Sequence, residues 1–200
     1  MPGSNAWGAL VAAVLMVVLA PLMLIIMGLL LLFQGRPIFF SQIRAGRGGR
    51  GFRLTKFRSM RDTRDDKGQL LPDEARTTGI GSFLRRSRLD ELPELWNILR
   101  GDMAFIGPRP LLVATILKMG DEGSFRCRVR PGLTGWAQVN GNTLLTLHEK
   151  LKLDLWYVDH RSVRIDFLIL LRTAGVMFWG ERINRTQLEK ALASRHRRGS

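Results

Sequence analysis

Charge is missing from the start of this chain: no ionisable side chain occurs before Arg36. The uncharged run from Trp7 to Phe33 is longer than the apolar segment of a secretory leader, about 7–15 residues, and no Lys or Arg precedes it. Cysteine is nearly absent. Cys127 stands alone, which excludes an internal disulfide, suits a reducing compartment and reads as a small half-buried apolar residue. With three histidines, His148, His160 and His196, the chain offers no His/Cys grouping for zinc. His148 and His160 read as surface or helix-face residues. Internal repeats and P-loop spacing are absent. The aromatics are not interleaved with basic residues as in a single-strand binder, which argues against a nucleic-acid partner. Acidic residues are missing from Arg36 to Arg61, where every charged residue is Lys or Arg.

What the chain does have is a long apolar segment followed by a cationic body. As one helix, Trp7–Phe33 would be roughly 40 Å long, at about 1.5 Å per residue. That is enough to span a hydrocarbon core of about 30 Å with tilt. Pro21 divides the run into halves too short to cross alone, so a bent hairpin that enters and leaves by one face also fits. Basic residues beside a short membrane segment stay cytoplasmic, which places everything after Gly35 in the cytoplasm. The net charge of +14 then points to the anionic leaflet as a partner.

Two hundred residues make an anchor and one modest domain. The reading is residues 1–35 as anchor, 36–180 as cytoplasmic catalytic domain and 181–200 as a basic tail, with RHRRGS at 195–200 solvated. Ile38-Phe39-Phe40 and Phe52-Arg53-Leu54 flank GRGGRG at 46–51, giving a small β-hairpin with a basic, Gly-rich tip. That tip is either a plain turn or a phosphate cradle. Residues 61–76 read as a surface loop. Residues 77–88 read as a short basic amphipathic helix with Ile80, Phe83 and Leu84 on one face, suited to a headgroup interface. Asp90–Leu99 reads as a helix with Pro93 in its first turn and Gly101 past its end. Residues 102–113 are extended, 130–141 turn-rich and Leu144–His160 helical. Ile165–Trp179 reads as a core or interfacial helix, and Trp96, Trp136 and Trp156 as packing residues.

Asp90-Glu91 is the constellation with chemical potential. Acids at a helix start can simply complement its dipole. Here they follow a run of arginines, and Asp102 and GPRP with Arg109 lie just downstream. The prolines flanking Arg109 stiffen its backbone, and a guanidinium suits bidentate phosphate contacts. A carboxylate can be a nucleophile toward phosphorus and its neighbour a base. Carboxylates also recruit Mg²⁺ together with substrate phosphate oxygens. A basic lipid-binding module would not need an acidic pair followed by GPRP.

Three strings carry a resemblance: GRPIFFSQIRAGRGGRGFRLTKFRSM (35–60), RLDELPELWNILRGDMAFIGPRPLL (88–112) and RPGLTGWAQVNG (130–141), with LKLDLWYV (151–158) after them. In this order they resemble the monotopic phosphoglycosyl transferases, bacterial sugar transferases that begin glycoconjugate assembly on polyprenyl phosphate. The resemblance implies an α+β, mostly helical fold with a re-entrant helix-break-helix at Pro21, interfacial amphipathic helices and a small β-hairpin. It implies a catalytic domain on the cytoplasmic face of the bacterial inner membrane. Asp90 would be the nucleophile toward a UDP-sugar and would bind Mg²⁺, and Glu91 would assist proton handling or metal positioning. Arg109 would hold substrate phosphate, helped by Lys56, with Asp154 supporting. Partners would be the UDP-sugar, polyprenyl phosphate, anionic lipid and downstream glycosyltransferases. Departures are the missing basic pair before the anchor, Ala104 for a common Ser and Asn142 for a frequent Arg. The chain is expected to be a minimal catalytic form. The sequence leaves the sugar and the oligomeric state open.

Overall fold

The computed structural model describes residues 4–194. It is mostly helical, with two small two-stranded sheets, the expected α+β composition. Packing divides it into two compact units. The first holds the residues up to Gln42 together with Arg53–Arg100; the second holds Ile43–Phe52 and the residues from Gly101 onward. This division cuts across the one read from composition. The solvated end expected at 195–200 lies outside the described residues.

In the first unit, helix α1 (Ser4–Phe33) runs through Pro21. Proline has no N–H to give the carbonyl four residues back, yet the helical backbone is not interrupted. A change of direction there is a bend within one helix, not a loop. Among the described residues α1 is the helix long and apolar enough to cross a membrane, by length and composition. Beyond Pro21 it also serves the core, where Ile26 and Leu30 pack with Phe57 and Leu84. Its end is clamped. Gly35, at φ 72°, and Gln34 both donate their N–H to the Leu30 carbonyl at 2.9 Å. Arg58 Nη2 donates to the carbonyls of Gln34 and Gly35, each at 2.9 Å, and Gln34 Nε2 donates to the carbonyls of Arg58 at 2.9 Å and Met60 at 3.1 Å. The last carbonyls of a helix lack intrahelical partners; here Arg61 Nη2 donates to the Phe33 carbonyl at 3.1 Å, and the buried Arg58 guanidinium takes the two carbonyls that follow.

Strands β1 (Phe39–Ala45) and β2 (Gly51–Phe57) form the expected hairpin. The surface loop 61–76 contains one helical turn, α2 (Asp73–Arg76). Helix α3 (Gly79–Ser87) is capped by Thr78, whose Oγ1 accepts the Gly81 N–H at 3.0 Å. Ile80 and Leu84 join the core, but Phe83 is 56% exposed. Neighbouring helical residues lie about 100° apart, so the core covers Leu84 and leaves Phe83 outside. The helix expected over Asp90–Leu99 is two elements. Arg88, in the left-handed region at φ 56°, ends α3; a 3₁₀ turn carries Leu89–Glu91, and α4 (Glu94–Leu99) begins after Pro93.

The second unit contains β3 (Ala104–Ile106), α5 (Val113–Lys118), α6 (Gly120–Arg126), β4 (Gly132–Thr134), α7 (Trp136–Val139), α8 (Leu147–His160), α9 (Val163–Trp179) and α10 (Arg185–Ala193). The segments read as extended and turn-rich pair in parallel, Ala104 with Gly132 and Ile106 with Thr134. Glycine is required there by contact. A Cβ on Gly132 would stand 2.1 Å from the Gly107 nitrogen, and one on Gly107 would stand 2.3 Å from the Arg130 carbonyl oxygen. Helix α8 starts at Leu147 rather than Leu144 because Thr146 and Glu149 form a reciprocal capping box. Trp136, Leu153, Tyr157 and Ile169 build the core. Trp156 stacks on Trp136 with centroids 5.0 Å apart, so both pack as expected, whereas Trp96 is half exposed. Within the span read as a tail, α10 buries Leu188 and Ala191 in this core. Cys127 is buried beside Ala45 and Ile116, and burial pushes its thiol pKa up, as suits a packing residue.

Candidate active site

In the first unit the acidic turn is inside the protein. Asp90 is 8% exposed, Glu91 7% and Glu94 2%. Burying carboxylates is costly unless they are paired, and Lys56 supplies the pairing. Its Nζ lies 2.9 Å from Glu91 Oε1 and 2.9 Å from Glu94 Oε1. Arg88 Nη1 stands 4.0 Å from the other Glu91 oxygen. Lys56 is aimed by its strand. Asn97 on α4 donates Nδ2 to the Arg53 carbonyl at 2.8 Å and accepts the Thr55 N–H at 3.3 Å. The Asn97 amide therefore completes one edge of β2. Side chains alternate along a strand, so Lys56 shares a face with buried Leu54. Lys56, expected on substrate phosphate, is thus the counter-ion of two carboxylates. Glu94 and Asn97 were not singled out from the sequence. Their i, i+3 spacing on one helix face was the available signal.

The second unit joins the other two expected residues through a third. Arg126 donates Nε to Asp154 Oδ2 at 2.8 Å, and its Nη2 is 2.8 Å from the same oxygen. Nη2 also donates to the Arg109 carbonyl at 2.5 Å. Asp154 and Arg126 are each 4% exposed. Burial pushes the Asp154 carboxyl up, and the Arg126 guanidinium partly offsets this. Asp154 therefore holds Arg126, and Arg126 holds the backbone of the proline-flanked Arg109. Arg126 is adjacent to nothing in the sequence motifs that would have marked it.

The Gly-rich hairpin tip is a turn whose amides are used internally. Gly46 N–H donates to Arg50, Gly48 to Cys127 and Gly49 to Gly46 carbonyls, at 2.8, 2.7 and 3.1 Å. Those amides are not turned to a phosphate cradle. The tip instead borders a groove of about 570 Å³ with Arg47, Arg50, Asp102 and Arg130 on its walls. Burial and the neighbouring Arg47 lower the Arg130 pKa.

For a divalent cation, no three or more His, Cys, Asp or Glu side chains are arranged to hold an ion by themselves among the described residues. Mg²⁺ needs less: one or two carboxylates, with waters and substrate phosphates completing the shell. The acidic turn, with Asp90, Glu91 and Glu94 buried within five residues, has the oxygen donors that such an ion takes.

Residues 4–180 match the family described as bacterial sugar transferase. Among known proteins, the chain is 45% identical over 152 residues to one named "Uncharacterized sugar transferase EpsL" from Bacillus subtilis (strain 168), covering 76% of this chain and 75% of that one. It is 34% identical over 186 residues to "Exopolysaccharide production protein ExoY" of Sinorhizobium fredii (strain NBRC 101917 / NGR234), covering 84% and 82%. It is 43% identical over 150 residues to the "UDP-glucose:undecaprenyl-phosphate glucose-1-phosphate transferase" of Xanthomonas campestris pv. campestris, covering 69% of this chain and 31% of that protein.

Proposed function

Because this chain belongs to the bacterial sugar transferase family and is an enzyme, we propose that it moves a phosphosugar from a UDP-sugar to polyprenyl phosphate through a covalent aspartyl intermediate. An Asp90 carboxylate oxygen attacks the β-phosphorus. The bond from that phosphorus to the bridging oxygen breaks, and UMP leaves with the electron pair. An oxygen of polyprenyl phosphate then attacks the same phosphorus, displacing the Asp90 carboxylate and giving a polyprenyl diphosphosugar. The name of the Xanthomonas relative supports this donor and acceptor class.

The observation that carries the proposal is the buried acidic turn. Asp90, Glu91 and Glu94 lie buried within five residues beside the Lys56 ammonium. Glu91, held by Lys56, assists proton handling as acceptor enters. Arg109, with its backbone fixed by Arg126, holds donor phosphate through its planar fork. Mg²⁺, when bound at Asp90, would offset diphosphate charge. Incubation with a panel of UDP-sugars, Mg²⁺ and polyprenyl phosphate should release UMP from at least one donor. Release from none would reject the reaction. Glycosyltransferases that extend lipid-linked sugars would consume the product.

The proposal places α1 in the bacterial inner membrane as a re-entrant helix bent at Pro21, with the body on the cytoplasmic face and anionic lipid around it. The exposed apolar side chains of α9, Phe167, Leu170 and Leu171 among them, support an interfacial helix. With Cys127 replaced by Ala, a cysteine at Ser4 should resist an impermeant thiol reagent in spheroplasts and react after lysis. Labelling before lysis would mean that α1 spans the membrane.

A further inference from the structure

A groove in the second unit serves none of the proposed chemistry. It has a volume of about 580 Å³ and runs between the end of α9 and the start of α10, with Val139, Arg172, Val176, Trp179, Arg182 and Arg185 on its walls. Arg172 is partly buried. Its Nη1 donates to Asn140 Oδ1 at 2.8 Å, and its guanidinium lies 5.1 Å from the Trp136 ring centroid. Both partners are neutral, so a partly desolvated cation stands in the groove with dipoles and a π face rather than an anion around it. Burial lowers its pKa accordingly. The two acids flanking Arg172 in sequence do not line the groove: Asp166 accepts from Tyr157, and Glu181 bonds to Asn142 and Thr143. Beside it, Phe178 is 81% and Trp179 74% exposed, continuing the uncovered apolar side of α9.

Three arginines facing one hollow ask for an anion, and the apolar wall beside them asks for hydrocarbon. We infer that this groove is a discrete binding site for the phosphate headgroup of an anionic glycerophospholipid, with Arg172 at its base and Arg182 and Arg185 at its rim. A guanidinium pairs with phosphate through parallel N–H bonds. Trp179 suits the headgroup level of a bilayer. Of the lipid phosphates, a glycerophospholipid is the occupant to which the groove is matched, because its cationic rim adjoins a face that would lie along the leaflet. The inference rests on the membrane placement of α1 and α9 and is independent of the sugar chemistry.

The test uses the full chain in neutral detergent, without UDP-sugar, and native mass spectrometry to count retained lipid during titration with phosphatidylglycerol. One phosphatidylglycerol should be retained per chain, and phosphatidylcholine should not. Arg172→Gln should weaken retention about tenfold, as should Arg182→Gln combined with Arg185→Gln. The rim pair carries the test if Arg172→Gln does not fold, because neither rim side chain is buried. Retention unchanged in the rim variant would overturn the site. Polyprenyl phosphate retained in preference to phosphatidylglycerol would overturn the phospholipid occupant in favour of the acceptor. Inorganic phosphate competing as well as the lipid would reduce the groove to an anion site. Vesicle flotation separates the two readings: a chain that floats with no vesicle sinks the membrane placement, whereas one that floats but retains no phosphatidylglycerol sinks only this site.

Discussion

Asp90→Asn should abolish both UMP release and the gain of phosphosugar mass when the enzyme meets its UDP-sugar without polyprenyl phosphate. The unmodified chain should release up to one UMP per active site under the same conditions and carry the adduct on the Asp90 peptide. An amide has nearly the carboxylate's shape, so the buried turn should still fold, but its lone pairs are poor nucleophiles. The loss should be on the order of 10³-fold or more, as for removal of a covalent catalyst. Glu91→Gln should slow turnover without preventing the adduct, because its proposed work lies in acceptor entry. Turnover should follow ping-pong kinetics. An adduct on another residue, or one surviving in Asp90→Asn, would remove Asp90 from the covalent role. Sequential kinetics without an adduct would favour direct attack by polyprenyl phosphate.

The second large effect belongs to the buried pair of the other unit. Asp154→Ala leaves the Arg126 guanidinium buried without its carboxylate. Breaking such a pair from one side costs about 3–5 kcal/mol, which should lower Tm on the order of 10 °C in a chain of this size. Arg126→Met with Asp154→Leu removes both charges and fills the space with apolar atoms, so most stability should return. Activity should not return with it, because the Arg109 carbonyl has lost the donor at 2.5 Å. UDP-sugar should then be used with a raised KM. Full activity in the stable double variant would show that Arg126 and Asp154 only support the fold.

These two clusters show what the sequence could and could not disclose. The acidic pair, the hairpin and the apolar helix were legible because each is a local pattern: adjacent charges, alternation around glycines, an uncharged run. Glu94 was less so, since its meaning depends on Lys56 arriving from strand β2. Arg126 depends on Asp154, 28 residues away, and no periodicity encodes that meeting. Phe83, read on an apolar face suited to a headgroup interface, is exposed, while Ile80 and Leu84 of the same face turn into the core. Asp90 sits in a 3₁₀ turn rather than a helix because Arg88 has a positive φ, a conformation rare for a side chain of this kind. In α10, Leu188 and Ala191 stand at helical spacing after a capping asparagine. That signal was present but masked by the surrounding basic residues.

The clamp at the end of α1 makes the helix a ruler. Gln34 and Gly35 are tied to Arg58, two residues past Lys56 on the segment that neutralises the acidic turn. Once α1 sits in a bilayer, the height of Asp90 above the hydrocarbon is set by how many residues separate Pro21 from that clamp. Each residue added there would lift the turn by about 1.5 Å and rotate it by about 100° around the helix axis. In the proposed reaction the acceptor phosphate stays at the depth that its lipid chain dictates. Length changes between Pro21 and Gln34 should therefore be tolerated far less well than substitutions of one apolar residue for another.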